Sequence, residues 1–138
     1  MKKIFLLAAM FAATISFAQK ADPSAAAKAS FAKAYPGATK VKWEKEDGNY
    51  EVTFMDKGNE MSAIYTPAGV FKEVEQEMKT SELPAVIINY MKEHYKDITV
   101  KGAAKITKAD GTINYEAAIK GKDVLFDANG KFLKEAKD

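Results

Sequence analysis

Apolar positions recur at helical spacing twice along this chain, and each time strand-like alternation follows. Ala27, Phe31 and Ala34 or Tyr35 share one face of a helix opened by Asp22-Pro23, with the acid as cap and the proline as first helical residue. Pro36-Gly37 ends it. Val41 and Trp43 then alternate with Lys42 and Glu44, and Tyr50, Val52 and Phe54 with Glu51 and Thr53. That is the period of a sheet covered on one face. Asp47-Gly48 predicts a tight hairpin between these two strands. Met61, Ala63 and Tyr65 make a third strand after Lys57-Gly58-Asn59, and Thr66-Pro67-Ala68-Gly69 turns into a fourth over 70–77.

The plan then starts again. Leu83, Ile87, Tyr90, Met91 and His94 recur at spacings of three and four behind Ser81 as candidate cap, with Pro84 tolerated in the first turn. Strands follow over 100–108, 113–119, 122–127 and 131–136, separated by Asp110-Gly111 and by Ala128-Asn129-Gly130. Tyr35 and Tyr95 lie 60 residues apart, Asp47 and Asp110 63, Tyr50 and Tyr115 65, and Gly69 and Gly130 61. A near-constant offset that wobbles by a few residues is what a duplicated unit with altered loops produces. The expected fold is α+β: two tandem repeats, each one helix followed by an antiparallel four-stranded meander.

The first 18 residues follow a different rule. Met1-Lys2-Lys3 is basic, Ile4 to Phe17 is nearly unbroken apolar sequence, and Ser16-Phe17-Ala18 ends in small residues at the −3 and −1 positions of a cut. This is the layout of a secretory signal peptide, cleaved after Ala18. The apolar run is short for a membrane span and no second one follows, so no stable membrane insertion is expected after cleavage. The expected organisation is a signal peptide over 1–18, a first unit over 19–80 and a second over 81–138, acting in the periplasm or secreted.

The leader also carries the whole charge excess. Of 138 residues, 21 are basic and 19 acidic; Lys2 and Lys3 leave with the leader, so the remainder is neutral. A neutral chain offers no electrostatic ground for nucleic acid. Every basic residue is Lys; without Arg there is no bidentate clamp for carboxylate or phosphate. Cysteine is absent, which excludes a thiol nucleophile, a thiolate metal site and disulfides. A single histidine, His94, excludes a His-pair zinc site, and neither a nucleophile elbow nor a phosphate loop occurs. No cofactor is implied.

Against that background the residues carry a family resemblance. Tyr-Glu-Val-Thr-Phe (50–54) and Tyr-Glu-Ala-Ala-Ile (115–119) occupy the second strands, and Thr-Pro-Ala-Gly-Val-Phe (66–71) and Asp-Ala-Asn-Gly-Lys-Phe (127–132) the turns before the last strands. In this order they resemble small exported PepSY-like proteins, also described as β-lactamase-inhibitor-like because their fold is similar to that of the tandem-repeat β-lactamase inhibitor protein. The resemblance spans roughly Ser30 to Glu135. It implies a periplasmic location and a fold, and it supplies no catalytic residues.

Individual residues sharpen this only a little. His94 reads as a helix-face histidine. Asp127-Ala128-Asn129-Gly130 echoes a calcium loop but lacks the later acidic ligands and reads as a turn. Glu73, Glu75 and Glu77 alternate as on the solvent face of an edge strand. Trp43 is in phase with Val41 and the core, or else is an exposed aromatic anchor. Met55 and Ile64 are out of phase with their apolar neighbours and fall on the other face of the sheet. A face with apolar residues set among Lys, Glu and Thr suits protein binding. The expectation is therefore a non-catalytic binding module of the cell envelope, with Trp43, Met55, Ile64 and Tyr65 as contacts for an unknown protein partner, such as an exported enzyme that it inhibits. The alternatives are a periplasmic carrier of a small apolar ligand held between sheet and helices, and an enzyme using carboxylates alone.

Overall fold

The computed structural model describes residues 19–20 and 22–137; the expected leader and its cleavage site lie outside the described residues. A short strand β1 (Gln19–Lys20) precedes helix α1 (Ala25–Ala34), strands β2 (Thr39–Glu46), β3 (Asn49–Asp56), β4 (Asn59–Tyr65) and β5 (Phe71–Met78). A 3-10 turn (Thr80–Glu82) leads into α2 (Ala85–His94) and strands β6 (Gly102–Lys108), β7 (Ile113–Ile119), β8 (Lys122–Asp127) and β9 (Phe132–Lys137). Strand order follows chain order, and the paired strands are antiparallel. The described residues form two compact units, one from 22–76 with Thr107–Gly111 and one from Glu77–Ile106 with 112–137. The ends of β5 and β6 are thus divided between them.

In the first unit the cap of α1 is Ser24, not Asp22: its hydroxyl accepts from the Ala27 amide at 3.1 Å and donates to the Pro67 carbonyl at 2.7 Å. Asp22 instead pairs with Lys28 at 2.8 Å. At the other end the Tyr35 amide closes on the Phe31 carbonyl at 2.9 Å before Pro36-Gly37 stops the helix. The hairpin loops Asp47-Gly48 and Lys57-Gly58 have positive φ at both residues, the conformation whose twist matches the flanking strands. Val52, Phe54, Ala63 and Tyr65 pack with Ala27 and Phe31 of α1 into one core, and Trp43 packs against it. Val41 does not join them and is 43% exposed. A bulge between Thr39 and Lys42, with Lys40 at φ 52°, breaks the alternation that placed Val41 in phase with Trp43.

In the second unit Ser81 lies inside the 3-10 turn and Pro84 stands at the start of α2. Ile87 and Met91 face Ala117, Ile119, Val124 and Phe126. The Tyr95 amide closes α2 on the Met91 carbonyl at 2.9 Å, as Tyr35 does for α1. The turns before β5 and β9 also share one geometry. The Thr66 amide donates to the Val70 carbonyl and the Asp127 amide to the Lys131 carbonyl, both at 2.9 Å. Gly69 and Gly130, at φ 81° and 82°, lie against the helices. A Cβ on Gly69 would meet the Ala26 carbonyl oxygen at 2.6 Å, and one on Gly130 would meet Val86 Cγ1 at 2.1 Å.

Candidate functional site

Cross-strand pairing sorts the side chains of the first unit onto two faces. Trp43 pairs with Val52 and Val52 with Ala63, all on the α1 side. Glu44 pairs with Glu51, Glu51 with Ile64 and Ile64 with Glu73, all on the side away from α1. The four residues expected as contacts are divided by this rule. Trp43 and Tyr65 belong to the α1 side, where Phe31 meets Trp43 edge-on at 5.5 Å and Trp43 lies 6.3 Å from Tyr65. Tyr65 is 1% exposed and stands beneath α1, not on an open sheet face that a protein partner could cover. Met55 and Ile64, both half-buried, share the other face.

That other face is lined with carboxylates. Ser62 donates to Glu51 Oε1 at 2.5 Å, and Lys42 pairs with Glu44. Burial pushes the Glu46 carboxyl up to about 7, helped by the charge of Glu51, a hydrogen bond with it, and the charges of Asp47 and Glu44. The Glu73 carboxyl is also raised, by burial first, against the opposing pull of Lys108 and Lys72. Glu73 therefore does not stand on a solvated edge. β5 continues into further hydrogen bonding, with the Ala109 amide donating to the Lys72 carbonyl at 2.8 Å.

In the second unit the face away from α2 carries Ala104, Ile106, Ala118 and Leu125, each buried and outside the cluster beneath α2. Glu116 and Asp123 are buried on the same face, Glu116 opposite Leu125 and Asp123 opposite Ala118. Neither stands out in the sequence, although the alternation Asn114, Glu116, Ala118 places Glu116 there; Asp123 follows only from its pairing with Ala118.

The remaining candidates resolve as structural. His94 is exposed, stacked on Tyr90 at 3.9 Å, with Nδ1 3.0 Å from the Tyr90 carbonyl. Asp127 Oδ1 accepts from the Asn129 and Lys131 amides at 2.8 and 2.9 Å, so this carboxylate is spent holding a turn. Among the described residues no cluster of three or more His, Asp or Glu is arranged to hold a metal.

Each unit has a groove beside its helix. Along α2 a groove of about 840 Å³ is floored by Leu83, Ile88, Met91 and Val100, with Lys92 and Ile98 at its rim. Along α1 a smaller one of about 500 Å³ lies between Ser30, Lys33 and Tyr35 of the helix end and Tyr65 and Phe71 of the strands. The Tyr65 hydroxyl is buried there without a hydrogen-bond partner, and desolvation, then the neighbouring Tyr35, pushes it up to about 12.

Two helices set against antiparallel strands that run in chain order define an α+β protein. Residues 48–134, well over half of the chain, match the family described as "Putative beta-lactamase-inhibitor-like, PepSY-like". The chain belongs to that family. Solved structures share the fold. A periplasmic protein from Bacteroides eggerthii is 16% identical, with a TM-score of 0.77 over 85% of this chain and 90% of that one. A DUF2874 family protein from Bacteroides uniformis is 16% identical, with a TM-score of 0.74 over 82% and 88%. A BLIP-like protein from Bacteroides fragilis is 23% identical, with a TM-score of 0.70 over 85% and 87%. No curated protein matches the sequence. Among the described residues no helix is long and apolar enough to cross a membrane.

Proposed function

We propose that this protein is an exported, non-catalytic binding module made of two copies of one helix-plus-four-strand unit, 19–80 and 81–138. It takes a protein partner on the sheet face away from α1. The observation that carries this reading is the setting of half-buried Met55 and Ile64 among Glu46, Glu60, Glu73 and Glu75, with Glu44 and Glu51 buried between them, as the strand register aligns them. An apolar centre with a charged rim is the composition of a docking surface, and the surplus of carboxylates selects a lysine- or arginine-rich partner. Trp43 and Tyr65 support that sheet from beneath α1. The leader-like 1–18 and the periplasmic description of the Bacteroides eggerthii relative support action in the periplasm or outside the cell. Occlusion of an exported enzyme is the mechanism that such a rigid surface serves. The test is capture from envelope extract by the protein and by its Ile64→Lys variant. One stoichiometric partner, lost with the variant and with rising salt, is expected; equal capture by both sinks the reading.

A second reading, carriage of a small apolar ligand, is favoured by the grooves beside the helices. Their volumes fall in the range of small-molecule sites, and the one beside α1 is mainly apolar with few polar groups, while the one along α2 mixes Leu83, Ile88, Met91 and Val100 with Thr80, Ser81, Lys92 and Asp97. Native mass spectrometry of protein purified without denaturation is expected to show a co-purified mass; its absence after titration with lipophilic acids counts against carriage.

A further inference from the structure

The two helix ends are built alike but filled differently. Counting back from the matched closures at Tyr35 and Tyr95, Ser30 stands where the second unit has Tyr90, and Ala34 where it has His94. Counting from the matched turn glycines, Tyr65 and Phe71 stand where it has Phe126 and Phe132. In the second unit Tyr90 stacks on Phe132 with centroids 5.6 Å apart and planes 10° apart, and meets Phe126 edge-on at 5.3 Å. His94 stacks on its far side. In the first unit, among the described residues, no ring is found stacked on Phe71 in that way. Ser30 is turned to the Gly69 carbonyl at 2.6 Å, and Phe71 makes a tilted ring contact with Tyr65 at 5.8 Å. The groove of about 500 Å³ beside α1 opens in this region.

The first unit thus keeps an aromatic seat and lacks the ring. It also gains a polar group there, because Tyr65 carries a hydroxyl that Phe126 does not have. A buried O–H without an acceptor is unusual in a folded protein. Lys33, exposed at the mouth and without an ion pair among the described residues, supplies a cation. We propose that this slot binds a planar aromatic acid bearing a second oxygen on its ring. The ring stacks on Phe71 as Tyr90 does on Phe132, the ring oxygen accepts from the Tyr65 hydroxyl, and the carboxylate lies toward Lys33. The inference rests on the ligand-carriage reading and names its ligand class.

The probe is 4-hydroxybenzoate, followed by amide and aromatic NMR shifts, with hexanoate as an aliphatic acid of similar charge. Saturable shifts at Ser30, Tyr65, Gly69 and Phe71 are expected with 4-hydroxybenzoate. Ser30→Tyr, which supplies the missing ring from within the chain, abolishes them. Tyr65→Phe, which only removes the donor and keeps the fold should Ser30→Tyr disturb it, weakens binding roughly threefold to tenfold. Undiminished binding by Ser30→Tyr, or by Tyr65→Phe, overturns the assignment. Equal shifts with hexanoate overturn the aromatic class while leaving carriage standing. No saturable shift with either acid removes both at this site.

Discussion

The Ser30 hydroxyl donates to the Gly69 carbonyl at 2.6 Å, tying the last turns of α1 to the turn before β5. That closeness leaves Gly69 no room for a side chain. With φ 81° and a would-be Cβ 2.6 Å from the Ala26 carbonyl oxygen, Gly69→Ala meets both a left-handed backbone and a clash with main chain. Gly58 has the same φ of 81° but open space around it. Denaturant unfolding is expected to show a loss of about 2–4 kcal/mol for Gly69→Ala and about 1 kcal/mol for Gly58→Ala. Equal losses would mean that the helix does not press on the turn.

Phe31 makes ring contacts with Tyr35, Trp43, Phe54 and Tyr65. Its removal leaves a cavity at the centre of the first core. Phe31→Ala is expected to cost about 3–5 kcal/mol. The emission of Trp43, the one tryptophan, should shift to the red as water reaches it. A variant with unchanged Trp43 emission would place the tryptophan outside this core.

The Tyr65 hydroxyl is buried without a partner, so Tyr65→Phe deletes an unmet donor and little packing. In the absence of ligand the variant is expected to be more stable by about 1 kcal/mol. A loss of similar size would mean that the hydroxyl is hydrogen-bonded in solution.

Glu46 sets a pH dependence. Its carboxyl is raised from 4.5 to about 7 in the folded protein, so the fold binds this proton more tightly than the unfolded chain does. The resulting stabilisation is complete below about 4.5 and disappears as pH rises through about 7. Glu46→Gln should melt like the parent at pH 4 and above it at pH 8. Parallel melting curves for the two proteins across that range would rule out the effect.

The sequence exposed much of this fold because its signals are local. Asp47-Gly48 marks a hairpin through the backbone it permits, and alternation in 50–54 separates the two faces of β3. Alternation already sets Tyr65, in phase with Ala63, on the opposite face from Ile64, so the four expected contacts do not share one surface. Val41 was misplaced by a bulge that no residue type announces. Glu73, Glu75 and Glu77 resemble an exposed edge only while the hydrogen bond from Ala109 to Lys72 is unknown. The slot beside α1 is different. Ser30 opposite Tyr90 is visible in the 60-residue offset, but its meaning needs the stacking of Tyr90 on Phe132.

Within each unit a strand pairs with the one made just before it, through loops as short as Asp47-Gly48 and Lys57-Gly58. Little loop entropy is lost at each such closure, and contacts remain near in sequence. A chain arranged in this way can zip up from its leading end as it is delivered, each finished hairpin serving as template for the next. Its refolding should accordingly be quick for a protein so rich in strands, with the first unit complete only once Thr107–Gly111 has arrived beside β5.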